Sequence, residues 1–282
     1  MIADSFELPG GRRLRLRAAS QELLEAARAL AVELDERATV HATLELGGRP
    51  GFLKASPLEG LGPRLRWALR RAPRVREYAN LEWLRARSFR APRPLACGVT
   101  TRGGLPSHQW LVTGLVPDAV PLDDWLAHTS DVERRAARIE ALGRELARMH
   151  ALHFVHRDVY PRNLLVAPHE PGEGPPEDVR PVFLDAWRGG AGFSLRGPSW
   201  DLGCFFLDAP TLLREAERER LLRVYFAERA AQDRPVDVAR FLAELVRARE
   251  VQVERVMRRP NRAHGAPSPS PWQPPPLERV TP

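Results

Sequence analysis

The stretch HRDVYPRNLLV, at residues 156–166, places an aspartate and an asparagine five residues apart in a polar loop between two apolar runs. The carboxylate of Asp158 can take the proton of a hydroxyl group, and the side-chain oxygen of Asn163 can hold a magnesium ion. This spacing is typical of the catalytic loop of phosphotransferases. We therefore predict a catalytic loop here, with the other groups that phosphoryl transfer needs on neighbouring elements.

Lys54 is the only lysine of the chain, since 42 of its 43 basic residues are arginine. It could be an accident of composition, or its site could require a compact ammonium group in place of a planar guanidinium. Residues 39–46 and 52–55 predict two strands joined by a glycine turn, with Lys54 on the second strand. Kinase-like lobes use a glycine turn and a strand lysine to cover and reach nucleotide phosphates, although an ordinary hairpin gives the same pattern.

A helix predicted over residues 73–87 carries two glutamates, Glu77 and Glu82. A phosphate-binding lysine needs a carboxylate partner on such a helix, which holds its ammonium group toward the α- and β-phosphates. We assign this partner to Glu77, because it lies one turn into the helix and ahead of the apolar face. Glu82 is the alternative, and a solvated surface position is the usual role of a helical glutamate.

The next strands are predicted over residues 95–99 and 109–116, before Pro117 breaks the chain. The end of the second strand is where a hinge would lie between two lobes. Backbone groups of Gly114 and Val116 can there hydrogen-bond the edge of an adenine ring. A plain strand-to-helix turn is the alternative interpretation.

A second candidate metal ligand, Asp185, follows a short apolar run. Residues 164–166 and 182–184 predict two strands separated by an exposed loop at 168–180, rich in Pro, Gly and Glu. Pairing of these strands would bring Asp185 close to Asn163, and the two would then bind Mg²⁺. Further on, Asp201 lies in a predicted buried helix, where its carboxylate could accept hydrogen bonds from the catalytic-loop backbone and fix the loop's shape.

The order of predicted elements indicates an α+β protein with a two-lobed protein-kinase-like fold. Residues 1–116 would form a small β-rich lobe, opened by a weak strand at 4–18 and a helix at 20–36, with the phosphate-binding lysine and the hinge. Residues 117–258 would form a larger helical lobe with the catalytic loop. Residues 259–282 are rich in Pro, Ser and Arg, and we expect a disordered tail there.

Composition limits the partners and the compartment. The net charge of +7 and the pI of about 10.4 favour anionic partners, namely nucleotide phosphates, an anionic membrane leaflet or nucleic acid. The arginines are spread along the chain without a nucleic-acid-binding motif, so we expect no nucleic acid. Residues 1–7 lack the features of a signal peptide, and no apolar run is long enough to cross a bilayer. We expect a cytoplasmic protein, compatible with peripheral contact at the inner face of the cytoplasmic membrane.

The cysteines and histidines do not indicate a metal cluster. Cys97 and Cys204 are too few for a disulfide framework, and we expect buried thiols in a reducing compartment. His150, His153 and His156 recur at spacings of three, but no acid or cysteine completes a ligand set. Core or loop-orienting roles are therefore the better prediction for these histidines.

Several stretches together resemble the lipopolysaccharide core kinases, which act on Kdo (an eight-carbon sugar acid) or heptose of the inner core. The similar stretches occur in the same order: FLKAS at 52–56, REYANLEWLRA at 76–86, APRPLACG at 91–98, WLVTGLVPDAVPLDDWL at 110–126 and MHALHFVHRDVYPRNLLV at 149–166. The resemblance covers about residues 35–210 and includes Tyr160, two residues after the aspartate. It is specific for a kinase-like fold and less specific for the substrate.

The resemblance implies roles for individual residues. Lys54 and Glu77 would form the ATP-phosphate pair, Asp158 would be the catalytic base, and Asn163 and Asp185 would bind Mg²⁺. This chain also departs from the family pattern. Gly114 replaces a common acid at the hinge, His153 replaces a common glycine, Ala186-Trp187 follow Asp185 in place of Phe-Gly, and some members carry His at the position of Asn163.

These features predict an ATP-dependent kinase that phosphorylates a hydroxyl group of a lipopolysaccharide inner-core sugar, Kdo or heptose. Its acceptor would be an anionic sugar or glycolipid. A serine/threonine protein kinase and a small-molecule phosphotransferase of the same fold are alternatives. A pseudokinase that binds without turnover is a further alternative, which the sequence disfavours because every core catalytic group has a candidate.

Overall fold

The protein is described by a computed structural model that covers residues 1–167, 179–192, 196–258 and 272–281. The chain divides into two compact units. Unit 1 consists of Met1–Val116 together with Ala186–Arg188, and unit 2 consists of Pro117–Asp185 together with Gly189–Pro282.

Unit 1 is built on a six-stranded antiparallel sheet with the strand order β1-β2-β5-β6-β4-β3. Its strands are β1 (Ile2–Leu8), β2 (Arg12–Ala18), β3 (Val40–Leu46), β4 (Arg49–Pro57), β5 (Pro94–Arg102) and β6 (Leu105–Gly114). Along β2, Leu14 and Leu16 are buried while Arg13 and Arg15 are exposed, as expected for one covered face and one solvated face. The single opening strand expected over residues 4–18 is thus two strands, because a Pro-Gly-Gly turn divides it.

Helix α1 (Gln21–Glu33) covers the apolar face of this sheet. Ser20 caps the helix, with its side-chain oxygen accepting from Leu23 N at 3.3 Å. Leu23, Leu24 and Ala27 are buried in one cluster with the inward residues of β2 and β5. The predicted helical stripe at 20–36 is therefore a core-packing face.

Two further helices follow in unit 1, α2 (Leu61–Leu69) and α3 (Pro73–Arg85). Proline opens α3, where its missing N–H costs nothing. Helix α3 buries Glu77, Tyr78, Leu81 and Leu84, and it packs on β5 and β6. In α2, by contrast, all nine residues are described and none is buried.

Unit 2 is mainly helical. Its helices are α4 (Leu122–His128), α5 (Val132–Ala151), α6 (Pro198–Phe205), α7 (Ala209–Leu212), α8 (Glu215–Ala231), α9 (Val238–Met257) and α10 (Leu277–Val280). Its short strands are β7 (Val120–Pro121), β8 (Phe154–Val155), β9 (Leu164–Val166), β10 (Val182–Phe183) and β11 (Gly190–Ala191). Asp131 caps α5 through Glu133 N and Arg134 N, as its position predicted.

A buried ion pair joins α5 to α8. Arg135 donates through Nε and Nη2 to the two carboxylate oxygens of Glu217, at 2.6 and 2.7 Å. Burial alone would raise the pKa of Glu217, but the hydrogen bonds from Arg135 and from the backbone of Arg214 lower it below its ordinary value. The pair therefore fixes how these two helices pack.

Residues 272–281 correct the expectation of a disordered tail over 259–282. Trp272 is buried and stacks on Phe206, with ring centroids 4.9 Å apart. In α10, Arg279 pairs with Glu219 at 2.8 Å, and its carbonyl accepts from Arg223. A proline-rich composition does not prevent one tryptophan from packing in an aromatic core. Residues 259–271 of the predicted tail, and 168–178 of the predicted loop, lie outside the described residues.

The α+β class is confirmed, with an antiparallel sheet in the N-terminal part and helices in the C-terminal part. Among the described helices, none combines the length and apolar character that would be needed to cross a bilayer.

Candidate active site

Lys54 and Glu77 form an ion pair in unit 1. Lys54 Nζ lies 2.9 Å from Glu77 Oε1, and Arg74 Nη1 lies 2.7 Å from the other oxygen, Glu77 Oε2. The Glu77 side chain is only 1% exposed. Lys54 projects from β4, and Glu77 lies one turn into α3, so a strand and a helix position the two groups. A cation at each oxygen fixes the orientation of the carboxylate.

This geometry decides between the two glutamates of α3 as the partner of Lys54. Glu82 lies five residues further along the helix. Burial raises the pKa of its carboxyl group above the ordinary value, although the nearby Arg17 opposes this shift. Glu77 is the residue that reaches Lys54. The sequence could not fix this choice, because it depends on how α3 is rotated against the sheet.

The glycine turn between β3 and β4 lies away from Lys54. Gly47 and Gly48 both have positive φ angles, +56° and +68°, as a two-residue hairpin turn requires. A side chain at Gly47 would contact Leu23 of α1 at 3.4 Å. Lys54 is five residues beyond the first residue of β4, or about 17 Å along the strand. The turn therefore does not have the position expected for a phosphate cover beside Lys54.

The other end of the hairpin lies beside Lys54. His41 pairs directly with Lys54, and Val40 pairs with Ala55. Directly opposed side chains on antiparallel strands share one face, with Cβ atoms about 4.5–5.5 Å apart. His41 is exposed, and its ring centroid lies 6.4 Å from that of Phe52. The sequence analysis placed His41 on a predicted strand but did not identify its position beside Lys54.

The predicted hinge residues lie at the end of β6 and just after it. The backbone N–H of Gly114 donates to Arg93 O at 2.7 Å, and the N–H of Leu115 donates to Pro50 O at 3.1 Å. Because these donors are used within unit 1, Gly114 could contact a ligand through its carbonyl oxygen. Val116 is the last residue of this part of unit 1.

In unit 2, the catalytic-loop candidate is a tight turn in which Asn163 reaches back to Asp158. Asn163 Nδ2 donates to the Asp158 carbonyl at 2.9 Å, and Tyr160 N donates to the same carbonyl at 2.8 Å. The half-buried Asp158 therefore has a fixed backbone. Since the amide nitrogen of Asn163 is used, its Oδ1 oxygen is the atom that can face a cation.

Pairing of β9 with β10 brings Asp185 to the catalytic loop. Leu164 pairs with Phe183, and Leu184 N donates to Asn163 O at 2.9 Å. Asp185 directly follows Leu184 and has a φ angle of +54°, a strained conformation for a residue other than glycine. The strands predicted at 164–166 and 182–184 therefore pair, and they place Asp185 one residue beyond the contact with Asn163.

The donor set fits a magnesium ion. A carboxylate and an amide oxygen are hard ligands, and Mg²⁺ in phosphotransferases takes one or two such side chains, with phosphates and water completing the octahedron. Within the ranges that the structure describes, no three His, Cys, Asp or Glu side chains group around a common metal position. Asn163 and Asp185 would therefore hold such an ion together with nucleotide phosphates, and not as a closed protein cage.

Asp201 fixes the backbone that precedes Asp158. The fully buried carboxylate accepts from His156 N at 2.7 Å, from Arg157 N at 2.5 Å and from His150 Nε2 at 3.1 Å. Arg157 has a φ angle of +66°, which these hydrogen bonds help to hold. The loop-shaping contacts predicted for Asp201 are thus present, and His150 extends them because its Nδ1 lies 2.9 Å from the Tyr225 hydroxyl.

Comparison with known protein families decides what kind of protein carries these groups. The model of the lipopolysaccharide kinase (Kdo/WaaP) family matches residues 62–191, slightly less than half of the chain. This segment is similar to the Kdo/WaaP family. The predicted family resemblance is confirmed, and so is the prediction of a kinase, since the family consists of phosphotransferases that use ATP.

One solved structure of a WaaP protein is similar to this chain in fold. A structure of WaaP in complex with acyl carrier protein aligns with 89% of this chain and 88% of its own, at 22% identity and a TM-score of 0.51. The bifunctional kinase-methyltransferase WbdD aligns with 83% of this chain and 46% of its own, at 17% identity and a TM-score of 0.43. Among curated proteins, none matches the chain.

The Kdo/WaaP segment contains all but one of the predicted site residues. Lys54 lies before residue 62, so its assignment depends on the ion pair with Glu77. Tyr160, within the segment, is a core residue. Its hydroxyl donates to Gln252 at 3.2 Å, and burial raises its pKa.

Two side chains of α3 that the sequence analysis missed hold the residues after Asp185. Asn80 Nδ2 donates to Ala186 O at 2.6 Å, and Arg76 Nη2 donates to Arg188 O at 3.4 Å. Ala186–Arg188 belong to unit 1, as does α3. A polar residue on a predicted helix gives no sequence signal for such a role.

Proposed function

We propose that this protein is an ATP-dependent kinase that phosphorylates a hydroxyl group of a lipopolysaccharide inner-core sugar, Kdo or heptose. The observation that carries the proposal is the arrangement of Asp158, Asn163 and Asp185 around one tight loop, inside the segment that matches the Kdo/WaaP family. The fold likeness supports a kinase scaffold, and the acceptor sugar comes from the family match.

In the proposed mechanism, Lys54 orients the α- and β-phosphates of ATP, while Glu77 keeps its ammonium group in place. The carbonyl of Gly114 and the backbone of Val116 contact the adenine edge. Asp158 accepts a hydrogen bond from the acceptor hydroxyl, aligns its oxygen with the γ-phosphorus and takes the proton as the phosphoryl group transfers. Asn163 and Asp185 would hold Mg²⁺, which would offset charge on the phosphates.

Arginines stacked beside the catalytic loop support an anionic acceptor. The guanidinium group of Arg162 lies 4.2 Å from the ring centroid of Tyr160. Those of Arg196 and Arg255 lie 4.3 and 4.9 Å from that of Trp200. Tyr160 and Trp200 belong to one buried cluster of unit 2. Kdo carries a carboxylate, which such groups bind well.

The function can be tested by label transfer from [γ-³²P]ATP into a lipopolysaccharide extract, beside casein as a generic protein acceptor. We expect label in the glycolipid and a raised acceptor KM in Arg162→Ala and Arg255→Ala, with the KM for ATP unchanged. Label found only on protein would refute the glycolipid acceptor. ATP binding without turnover would indicate a pseudokinase. A cytoplasmic location, facing the inner leaflet, is part of the same proposal.

A further inference from the structure

Helix α2 of unit 1 leaves its apolar face exposed. A nine-residue helix in water is marginal on its own and usually depends on burying an apolar face. In α2 the leucines at positions i, i+4 and i+8 lie on one face and are all exposed, with Leu61 at 64%, Leu65 at 47% and Leu69 at 89%. Trp67 is only half-buried. The apolar face of this helix therefore has no partner within the described chain.

Polar contacts, and not a core, attach α2 to the sheet. The guanidinium group of Arg64 donates to Pro106 O at 2.9 Å, Arg102 O at 3.0 Å and Leu105 O at 3.3 Å. These are carbonyls at the β5–β6 turn. One face of the helix is thus anchored at a defined place, which leaves the leucine face directed away from the sheet core.

The surroundings of the leucine face are basic. Residues 60–72 contain four arginines and no acid. Beside the helix lies a cavity of about 800 Å³ lined by Arg15 and Arg17 of β2 and by Arg70 and Arg71, against one acid, Asp4. Trp67 and Leu69 also line this cavity. The same surface therefore combines exposed leucines, a tryptophan and a space with a strong preference for anions.

We propose that α2 and the adjoining arginine-lined cavity form a docking site for a bilayer surface that contains anionic phospholipids. The leucines would enter the boundary between headgroups and acyl chains, and the arginines would contact lipid phosphates. Interfacial helices combine these two features, and tryptophan favours the same depth. Three leucines and one tryptophan are a small area for a stable protein interface, but attraction to anionic lipid adds to the membrane affinity.

This docking site would hold the kinase at the membrane surface, where a glycolipid acceptor would lie. Membrane binding through α2 does not depend on catalysis. Vesicle binding by a protein without turnover tests the docking site alone. Asp158→Asn should therefore bind vesicles as well as the unaltered protein. A failure of the proposed kinase function would leave this result unchanged, so the two proposals can fail separately.

The experiment is vesicle flotation with the full chain, using phosphatidylcholine alone or mixed with phosphatidylglycerol. We expect binding to the mixed vesicles that weakens as salt rises. Leu65→Ser/Leu69→Ser should weaken it at least tenfold, since each leucine loses burial in the interface. Arg66→Glu/Arg70→Glu should weaken it by about fivefold or more for each arginine. All four residues are exposed, so thermal unfolding should not change.

Matched controls lie in unit 2. Val132 is an apolar residue with 61% exposure, and Val132→Ser should leave flotation unchanged. Arg234 and Arg247 are exposed arginines, so Arg234→Glu/Arg247→Glu carries the same change of charge as the α2 variant. Equal losses in the two arginine pairs would show that net charge, and not α2, drives binding, and would overturn the proposal.

A label at Leu69 tests the contact directly. Cys97 and Cys204 are buried, so a polarity-sensitive thiol dye should react selectively with Leu69→Cys or, as a control, Val132→Cys. We expect a blue shift at position 69 on mixed vesicles and none at position 132. If the dye at position 69 shows a blue shift without vesicles, and this shift grows with protein concentration, the partner of α2 is a second copy of the chain. That result, or an absence of shift on vesicles, would refute membrane docking.

Discussion

Lys54 Nζ lies 2.9 Å from Glu77 Oε1, and Arg74 lies 2.7 Å from the other oxygen of the same buried carboxylate. Glu77 thus holds two cations of different shape, and Lys54 is the one that projects from the sheet. In a chain with 42 arginines, this position carries the one lysine. An arginine side chain is longer than a lysine side chain and ends in a planar guanidinium group. Its charge would therefore lie at a different position beside Glu77.

The first prediction follows from this pair. Lys54→Arg should lower kcat/KM for ATP about 100-fold, despite its retained charge, because the guanidinium cannot occupy the ammonium position. Glu77→Gln should have a similar effect because the lysine loses its ionic partner. Steady-state kinetics with varied ATP measures both effects. Glu82→Gln is the matched control and should keep activity within about twofold; an equal loss in this variant would contradict the assignment.

The second prediction concerns the metal ligands. Asn163→Ala removes the oxygen that can face a cation, and it should raise the Mg²⁺ concentration for half-maximal activity by at least about tenfold. Asn163→Asp keeps an oxygen at this position and should have a smaller effect. Asp185→Asn should behave like Asn163→Ala. A magnesium titration at saturating ATP measures these values, and unchanged magnesium dependence in all three variants would exclude this metal site.

The third prediction concerns the loop support from Asp201. Asp201→Asn places an NH₂ group against one of three donors, so it should destabilise the protein by about 1–3 kcal/mol. Loss of loop geometry should also lower kcat about 100-fold, with little change in the KM for ATP. Thermal unfolding and kinetics at a temperature well below the transition separate the two effects. Asp208→Asn is a control outside this network.

If the activity of Asp201→Asn falls only in proportion to its unfolded fraction, Asp201 has no role in positioning the loop. A drop in kcat with fully folded protein would support one. His150→Gln, which can keep a donor toward Asp201, should then recover part of the activity that His150→Ala loses.

The sequence predicted the local chemistry of the candidate site and missed relations that depend on packing. Asp158 and Asn163 could be found because their spacing lies within one loop. The choice of Glu77 over Glu82 depends on how α3 is rotated against the sheet. That rotation does not follow from residues close in sequence.

The side-chain positions of two aromatic residues could not be predicted from the sequence around them. The Pro, Ser and Arg content of residues 259–282 predicts a disordered tail, yet Trp272 within it stacks on Phe206. Tyr160 lies two residues after Asp158 in sequence, yet its side chain enters the helical core and its hydroxyl donates to Gln252. Both positions are decided by aromatic packing with residues far along the chain, which local patterns do not contain.

The fourth prediction concerns His153, the residue after the C-cap of α5. It has a φ angle of +58°, the left-handed conformation that favours glycine at this position. His153→Gly should therefore stabilise the protein by about 1 kcal/mol. Denaturant unfolding of unaltered protein and variant measures the difference. A destabilisation of similar size would mean that the imidazole makes a contact worth more than the backbone strain.

The central claim is that Asp158 activates an acceptor hydroxyl for phosphoryl transfer from ATP. The most direct measurement is single-turnover transfer of label from [γ-³²P]ATP to a lipopolysaccharide extract, for the unaltered protein and for Asp158→Asn. We predict a rate at least about 100-fold lower in the variant, because it has lost its general base, with ATP affinity unchanged. Equal rates of transfer in the two proteins, or no transfer by either while ATP binds, would contradict this account.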